Sequence, residues 1–320
     1  MKLIASAAAV LVAAATLSGA AIAQDKPEIA FVVNGPSDFW KITEAAVAKI
    51  QKELPDVILT FKYPEAADAA VQKRMLEDLV ASGVDAIAVS VVDPKTFTDT
   101  INEIATKVPV FTFDSDLPAS NRIAYVGSSN VELGKNAGEL MKKAMEGKTG
   151  HCVGFVGLPG ADNARERLQG YNEAVAGTGL EIAEGDNIGD QIDQTRARAN
   201  VDDVLAGRPE VNCMVGFYSY NPPRMYEALQ AAGKLGQITV VGFDEDPITL
   251  AAVTEGSFAG TVVQNPYEWG IATSKLIAAY LKGDTSGVPA DGIIIVPGQS
   301  LTKDNVVQFQ ADFQAKLAGN

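Results

Sequence analysis

Short apolar runs of strand length alternate with longer amphipathic segments along the chain, and this alternation restricts the fold more than any other feature. The predicted strands of the first half are 28–33, 57–63, 85–92 and 108–113. The segments between them, such as 42–54 and 69–83, carry apolar residues three and four positions apart, which is typical of helices. Such alternation predicts a parallel sheet with helices on both faces.

The same pattern starts again after a predicted helix at about 131–146. The predicted strands of the second half are 151–157, 181–187, 211–217, 238–243 and 258–264. A chain of 320 residues exceeds the usual size of one domain. We therefore predict an α/β protein with two doubly wound, Rossmann-like parallel-sheet domains, rather than one large sheet.

The first 23 residues have the features of a cleaved signal peptide. Lys2 is their single charge, an Ala-rich apolar run covers 3–22, and small residues at Ala21 and Ala23 precede a polar, Pro-containing start. An uncleaved anchor is the alternative, but the run is only weakly hydrophobic. We expect residues 1–23 to be removed, and the mature chain to lie in an extracytoplasmic space without a lipid anchor.

Charge and composition argue against several classes of function. Forty acidic residues against 26 basic ones give a net charge of −14, which repels phosphate backbones, so nucleic acid is not an expected partner. The only histidine, His151, starts a predicted strand, away from the usual ligand side of a parallel sheet. No phosphate loop, dinucleotide motif or metal-ligand spacing is present, so we predict no cofactor and no metal.

Cys152 and Cys213 are the only cysteines. An oxidising compartment permits a disulfide between them, and two buried free thiols are the alternative. Both residues lie near the amino ends of predicted strands that are neighbours in a doubly wound domain, which favours the disulfide.

Polar and aromatic residues follow the predicted strands, at the edge where open parallel sheets bind ligands. These residues are Asn34, Asp93 and Asp114 in the first half and Tyr218, Asp244 and Gln264 in the second, with Arg165 after the turn at 157–163. Amide, carboxylate and guanidinium groups suit adjacent hydroxyls, and aromatic rings cover the C–H face of a sugar. The set indicates a neutral, polyhydroxylated ligand, with a glycosidase using two carboxylates as the enzyme alternative.

Phe39 and Trp40 are adjacent aromatics at the expected start of the first helix. Neighbours on a helix point about 100° apart, so both rings cannot lie at the centre of one buried stripe. The pair follows the turn at the ligand side of the predicted sheet, so neither ring needs to belong to the core. The alternative is a hydrophobic staple that fixes the entry of the helix.

The chain resembles the ribose-type periplasmic sugar-binding proteins of ABC transporters. The segments that carry the resemblance are "IAFVVNGPSDFW", "VPVFTFDSD", "ARERLQGYNEAV", "LQAAGK", "VVGFDEDP" and "GTVVQNP". It extends from about Pro27 to Gly283 and implies the type I periplasmic binding protein fold, in which a three-crossing hinge joins two doubly wound domains. It also implies a monomeric periplasmic protein that encloses a monosaccharide or polyol and delivers it to an ABC permease.

The implied amino-terminal domain comprises 24–127 and 265–292, and the implied carboxy-terminal domain comprises 128–264 and 293–320. The crossings are expected near 127–130, 264–266 and 291–294. Transcription-regulator effector domains share this fold, but they begin with a helix-turn-helix, and this chain begins with a signal-like segment.

The resemblance also implies a set of ligand-binding residues. Six assignments rest on matched motifs: Asn34, Phe39 with Trp40, Asp114, Arg165, Asp244 and Gln264. Tyr218 stands where ribose binders carry asparagine, and nearby Asn221 is expected to supply the amide. Asp114 is followed by Ser115 where the ribose-type pattern often has arginine, so we expect a ligand other than ribose.

Overall fold

A computed structural model describes residues 26–319, and they form two six-stranded sheets. In spatial order the first sheet contains β11 (Ile293–Ile295), β5 (Tyr125–Gly127), β4 (Val110–Phe113), β3 (Ala86–Val89), β1 (Glu28–Val32) and β2 (Ile58–Lys62). The second contains β12 (Gln299–Leu301), β10 (Gly260–Val263), β9 (Thr239–Phe243), β8 (Cys213–Gly216), β6 (Cys152–Val156) and β7 (Asn187–Gly189). All pairings are parallel except β10 with β12. The predicted pair of doubly wound domains is confirmed.

The described residues contain ten α-helices. Those of the first domain are α1 (Lys41–Glu53), α2 (Ala69–Ser82), α3 (Thr98–Ala105) and α9 (Pro266–Leu281). Those of the second domain are α4 (Asn130–Ala144), α5 (Asp162–Val175), α6 (Gln194–Gly207), α7 (Asn221–Ala231) and α8 (Pro247–Glu255), and α10 (Val306–Leu317) ends the chain. No helix of residues 26–319 has the length and apolarity needed to span a bilayer.

Helices cover both faces of each sheet, so the central strands are apolar throughout. In β1, Ile29 and Phe31 face one hydrophobic core while Ala30 and Val32 face another, and all four are fully buried. Successive side chains of a strand point to opposite faces, so a strand between two cores needs a continuous apolar run. This burial holds the carboxyl ends of the strands in place at the edge that carries the polar residues.

Three crossings join the domains, and one lies later in the chain than expected. The first crossing follows β5 and the second follows β10. Residues 293–295 were expected to belong to the second domain, but they form β11 and pair with β5 of the first sheet. The third crossing therefore lies between β11 and β12, at 296–298. The predicted signal peptide, 1–23, lies outside the described residues.

The predicted strand at 181–187 is wrong in its placement. Glu184–Asp186 form a short 3-10 turn, and the strand of this region, β7, begins only at Asn187. Ile182 is buried, whereas Glu184 and Asp186 lie outside the core, so the segment lacks the continuous apolar run of an interior strand.

Cys152 and Cys213 form a disulfide within the second sheet. They are direct partners in the register of β6 and β8, with their Cα atoms 4.5 Å apart. The alternative of two free thiols does not hold. The disulfide lies near the amino ends of these strands, whereas the polar residues follow the carboxyl ends.

The carboxy-terminal helix α10 contacts both domains. Phe309 packs against the core of the second domain, and Phe313 packs against Ile42 and Tyr267 of the first. The Lys316 ammonium lies 4.9 Å from the centre of the Tyr267 ring, a cation–π contact. The helix therefore links the domains beside the hinge, in addition to the three crossings.

Candidate functional site

Two aspartates hold equivalent positions in the two domains. Asp114 follows β4, Asp244 follows β9, and both have positive φ angles, 59° and 63°. Their N–H groups bond the carbonyls of Val126 and Val262 at 3.1 and 2.8 Å, respectively. A left-handed backbone is unfavourable for a residue other than glycine, although aspartate tolerates it better than most. Strain of this kind is concentrated at functional sites.

Each aspartate carboxyl has one oxygen bonded inside the protein. The Ser90 hydroxyl donates to Asp114 Oδ2 at 2.7 Å, and the Gln264 amide donates to Asp244 Oδ1 at 3.1 Å. Among residues 26–319, no donor bonds the second oxygen of either carboxyl. Each carboxyl therefore keeps one acceptor for a ligand.

Burial perturbs both carboxyls. It raises the pKa of Asp114 to about 6, and the Ser90 hydrogen bond and the Arg167 charge limit this rise. Burial also raises the pKa of Asp244, which Arg167 and the Gln264 hydrogen bond partly counteract. The charge of Asp244 further raises the pKa of Asp114, so groups from both domains act on one another here. Both carboxyls therefore become protonated at a higher pH than an exposed aspartate does.

Arg167 is the guanidinium that faces this cluster, and it was not among the predicted residues. Its side chain is buried: Nε–H bonds Asn130 Oδ1 at 3.0 Å, and Nη1 bonds the Phe217 carbonyl at 2.6 Å. Its guanidinium carbon lies 4.7 Å from the centre of the Phe243 ring. These contacts fix the plane of the group and leave Nη2 without a partner among the described residues.

Arg165, the predicted arginine, is not brought to the cluster. Its side chain is 57% exposed and pairs with Asp162 and the Gly160 carbonyl at the surface. Residues two apart on a helix point about 200° apart, so Arg165 and Arg167 cannot share a face of α5. Arg167 is in phase with the buried positions of α5, including Ala164 and Tyr171, and this phase is the signal that could have identified it.

Close packing of α4 against α5 sets the position of Arg167. A Cβ atom added to Gly134 would lie 2.1 Å from the Arg167 carbonyl oxygen, and one added to Gly170 would lie 1.9 Å from the Val131 oxygen. Only glycine permits this approach of two helix backbones. The approach also brings Asn130, the first residue of α4, to Arg167.

The aromatic pair divides between core and site. Trp40 is 2% exposed, and its ring lies 5.7 Å from Phe113 in the core of the first domain, so its predicted contact with ligand is replaced by core packing. Phe39 packs edge-on against Trp40 at 4.9 Å and is only partly buried. Asn34 is also partly buried, and its amide bonds to no other side chain or backbone group within 26–319.

Tyr218 and Asn221 have different roles. Tyr218 is partly buried, and its hydroxyl bonds Asn163 Oδ1 at 3.0 Å. Asn221 is 1% exposed: its Oδ1 accepts from the Tyr218 N–H, and its Nδ2 donates to buried Asp190 at 2.8 Å. The amide of Asn221 thus shapes the loop before α7, and the prediction that it faces a ligand is wrong. Asn163 supplies an amide beside Tyr218 instead.

The loops of the two domains also touch across the cleft. The Lys95 ammonium, after β3, bonds the Gly160 carbonyl, after β6, at 3.3 Å. Asp93 accepts from the Lys95 N–H and the Thr96 hydroxyl, so it stabilises this turn. Residues 26–319 contain no group of three potential metal ligands.

The two doubly wound domains meet at a buried cluster of carboxyls, an amide, a guanidinium and aromatic rings. This arrangement is that of a two-domain protein that binds a small molecule. The chain belongs to the periplasmic binding protein domain family, whose model matches residues 29–285. Proteins of this family act outside the cytoplasmic membrane.

Several characterised proteins are similar over most of the chain. The ribose import binding protein of Salmonella typhimurium is 27% identical to this chain, and the alignment covers 89% of this chain and 94% of the relative. A solute-binding protein from Burkholderia graminis, solved with D-arabinose, is 26% identical with a TM-score of 0.80, covering 88% of this chain and 98% of its own. A glucose-galactose binding protein from Geobacillus stearothermophilus is 26% identical with a TM-score of 0.79, covering 88% and 99%.

Proposed function

We propose that this protein is the extracytoplasmic substrate-binding component of an ABC importer, and that it captures a monosaccharide or polyol between its two domains. The observation that carries the proposal is the pair of acceptor oxygens on Asp114 and Asp244, with Arg167 close enough to act on both carboxyls. One aspartate comes from each domain, so a ligand between the domains contacts both.

The chemistry of the cluster suits hydroxyl groups. A hydroxyl donates to a carboxylate and accepts from a guanidinium at the same time, so Asp114, Asp244 and Arg167 complement neighbouring hydroxyls. Two carboxyls against one guanidinium disfavour an anionic ligand. Phe39 and Tyr218 add partly buried rings suited to the C–H faces of such a ligand.

The proposed ligand-binding residues are Asn34, Phe39, Asp114, Arg167, Tyr218, Asp244 and Gln264. Trp40 supports Phe39 from the core, and Asn221 supports Tyr218 from the loop before α7. Tyr218 and Ser115 stand where ribose binders carry other residues, so the proposed ligand is a pentose other than ribose, a hexose or a linear polyol.

Binding works through domain closure. Only the closed form lets both aspartates contact one ligand, so the ligand stabilises that form by the difference in its affinity for the two forms. The closed protein then delivers its ligand to a membrane permease. The named relatives are binding proteins and not enzymes, which weighs against the hydrolase alternative. The predicted signal peptide and the family together support a periplasmic location.

A thermal-shift screen against pentoses, hexoses and polyols tests the proposal. Ligand at 100 times its Kd should stabilise the folded state by about 2.7 kcal/mol. Calorimetric titration of each hit then gives the affinity, with Asp114→Ala as the matched site variant. A screen without any stabilising sugar or polyol, or equal stabilisation of Asp114→Ala, contradicts the proposed function.

A further inference from the structure

The backbone carbonyls of both site aspartates accept a hydrogen bond from a side-chain hydroxyl. The Tyr125 hydroxyl donates to the Asp114 carbonyl at 3.0 Å, with the Ser128 carbonyl oxygen as a longer second acceptor at 3.3 Å. The Thr261 hydroxyl donates to the Asp244 carbonyl at 2.9 Å. Tyr125 lies in β5 and Thr261 in β10, the strands next to β4 and β9. The two domains thus repeat one arrangement with different hydroxyl residues.

The hydroxyls satisfy carbonyls that the sheet ladder leaves without a partner. The left-handed turn at each aspartate directs its carbonyl away from the ladder, and a buried carbonyl needs a partner. The fold makes room for the larger hydroxyl residue, because a Cβ atom on Gly127 would lie 1.9 Å from the Tyr125 hydroxyl oxygen. Tyr125 and Thr261 are both buried, so water does not replace these bonds readily.

We propose that Tyr125 and Thr261 are positioning residues for ligand binding. Each hydroxyl holds the left-handed backbone of its aspartate, and so keeps the second carboxyl oxygen directed at the ligand. The inference rests on the proposed function, since the ligand is the sugar or polyol proposed above. Both residues lie in strands that lead into the hinge, so each site aspartate is tied to a hinge strand.

Variants that remove only the hydroxyl test this role. Tyr125→Phe and Thr261→Val should each weaken the binding of the best sugar or polyol from the screen roughly tenfold, the effect of about one misplaced hydrogen bond. Thr261→Ser keeps the hydroxyl and should bind within about twofold of wild type. Serine therefore provides the conservative rescue.

Two matched controls separate positioning from stability. Tyr171→Phe removes a buried hydroxyl that bonds the Leu180 carbonyl, and Thr249→Val removes a buried hydroxyl without a partner in the described structure. Both should keep wild-type affinity, even where they lower the unfolding temperature. Affinities of Tyr125→Phe and Thr261→Val that match these controls overturn the proposal.

A second readout needs no ligand. The Asp244 N–H bonds the Val262 carbonyl, so its hydrogen exchange, measured by NMR, reports the turn directly. Thr261→Val should accelerate that exchange roughly tenfold over Thr249→Val, as expected for loss of about one hydrogen bond. Equal exchange overturns the positioning role, whereas wild-type protein that binds no sugar or polyol overturns the proposed function.

Discussion

Replacement of Arg167 should abolish most ligand affinity, and the same replacement of Arg165 should not. The structure buries Arg167 against Asn130, Phe217 and Phe243, and its Nη2 has no partner among the described residues. A charge-assisted hydrogen bond contributes about 1.5–3 kcal/mol, so two such bonds to hydroxyls amount to about 3 kcal/mol or more. Arg167→Met should therefore raise Kd at least about 100-fold.

Loss of the guanidinium has a second effect on the carboxyls. Arg167 lowers the pKa of both Asp114 and Asp244, so its removal raises both values further. At neutral pH a larger fraction of each carboxyl is then protonated, and a protonated carboxyl is a weaker acceptor for ligand hydroxyls. The affinity lost in Arg167→Met should be larger at pH 6 than at pH 8.

Isothermal titration calorimetry of Arg167→Met and Arg165→Met with the same sugar or polyol measures both effects. Arg165 is exposed and paired locally with Asp162, so Arg165→Met should change Kd by less than about twofold. Arg167→Met leaves the Phe217 carbonyl without its hydrogen-bond partner and so lowers the stability of the variant. The titrations should therefore be run well below its unfolding temperature. Strong binding by Arg167→Met, or loss of binding by Arg165→Met, refutes the choice of arginine.

Four further predictions concern the pH dependence of binding, the pH dependence of stability, the disulfide and the carboxy-terminal helix. Because burial raises the pKa of Asp114 to about 6 and also raises the pKa of Asp244, affinity should fall as the pH decreases from about 8 to about 5; a flat profile of Kd over that range contradicts this. Because the pKa of Asp114 is higher in the folded protein than in the unfolded chain, the ionised carboxyl destabilises the folded state. Asp114→Asn should therefore have a higher free energy of unfolding than wild type at about pH 7. This difference should shrink as the pH falls to about 4, as denaturant unfolding would show. Replacing Cys152 and Cys213 by alanine should lower the free energy of unfolding by about 4 kcal/mol, a magnitude that follows from their separation of 61 residues. Kd should not change, because the disulfide lies at the amino ends of the strands and the site at their carboxyl ends. Unchanged stability contradicts this prediction. Phe313→Ala should cost about 1–2 kcal/mol in denaturant unfolding, whereas Val307→Ala on the exposed side of α10 should cost less than about 0.5 kcal/mol, and equal costs contradict the interdomain contact.

The sequence was sufficient for the architecture because the central strands are buried on both faces and read as continuous apolar runs. It was insufficient for the third crossing, because β11 has only three residues and two of them, Ile293 and Ile295, are exposed. A run of three isoleucines carries no information about which sheet it joins. Only the pairing of β11 with β5 assigns it to the first domain.

The sequence predicts those residues of the candidate site whose side-chain direction follows from their position at the end of a strand. Asp114 and Asp244 follow strands directly, so the carboxyl ends of those strands place them. The arginine required the phase of α5, and the two candidates in "ARER" differ by two residues and therefore by face. Phe39 and Trp40 posed the same difficulty, since adjacent rings diverge and only packing shows that Trp40 enters the core.

The two halves of the cluster are unequal, and this inequality suggests an order of events. Asp114 and Asp244 repeat the same turn in both domains, but Arg167 and Tyr218 come from the second domain alone, and Gln264 follows its strand β10. A ligand docked on the second domain gains a guanidinium, a carboxyl and a ring before closure. The first domain adds Asp114 and Phe39 when it closes, so we expect its contacts to govern the closing step and those of the second domain to govern capture.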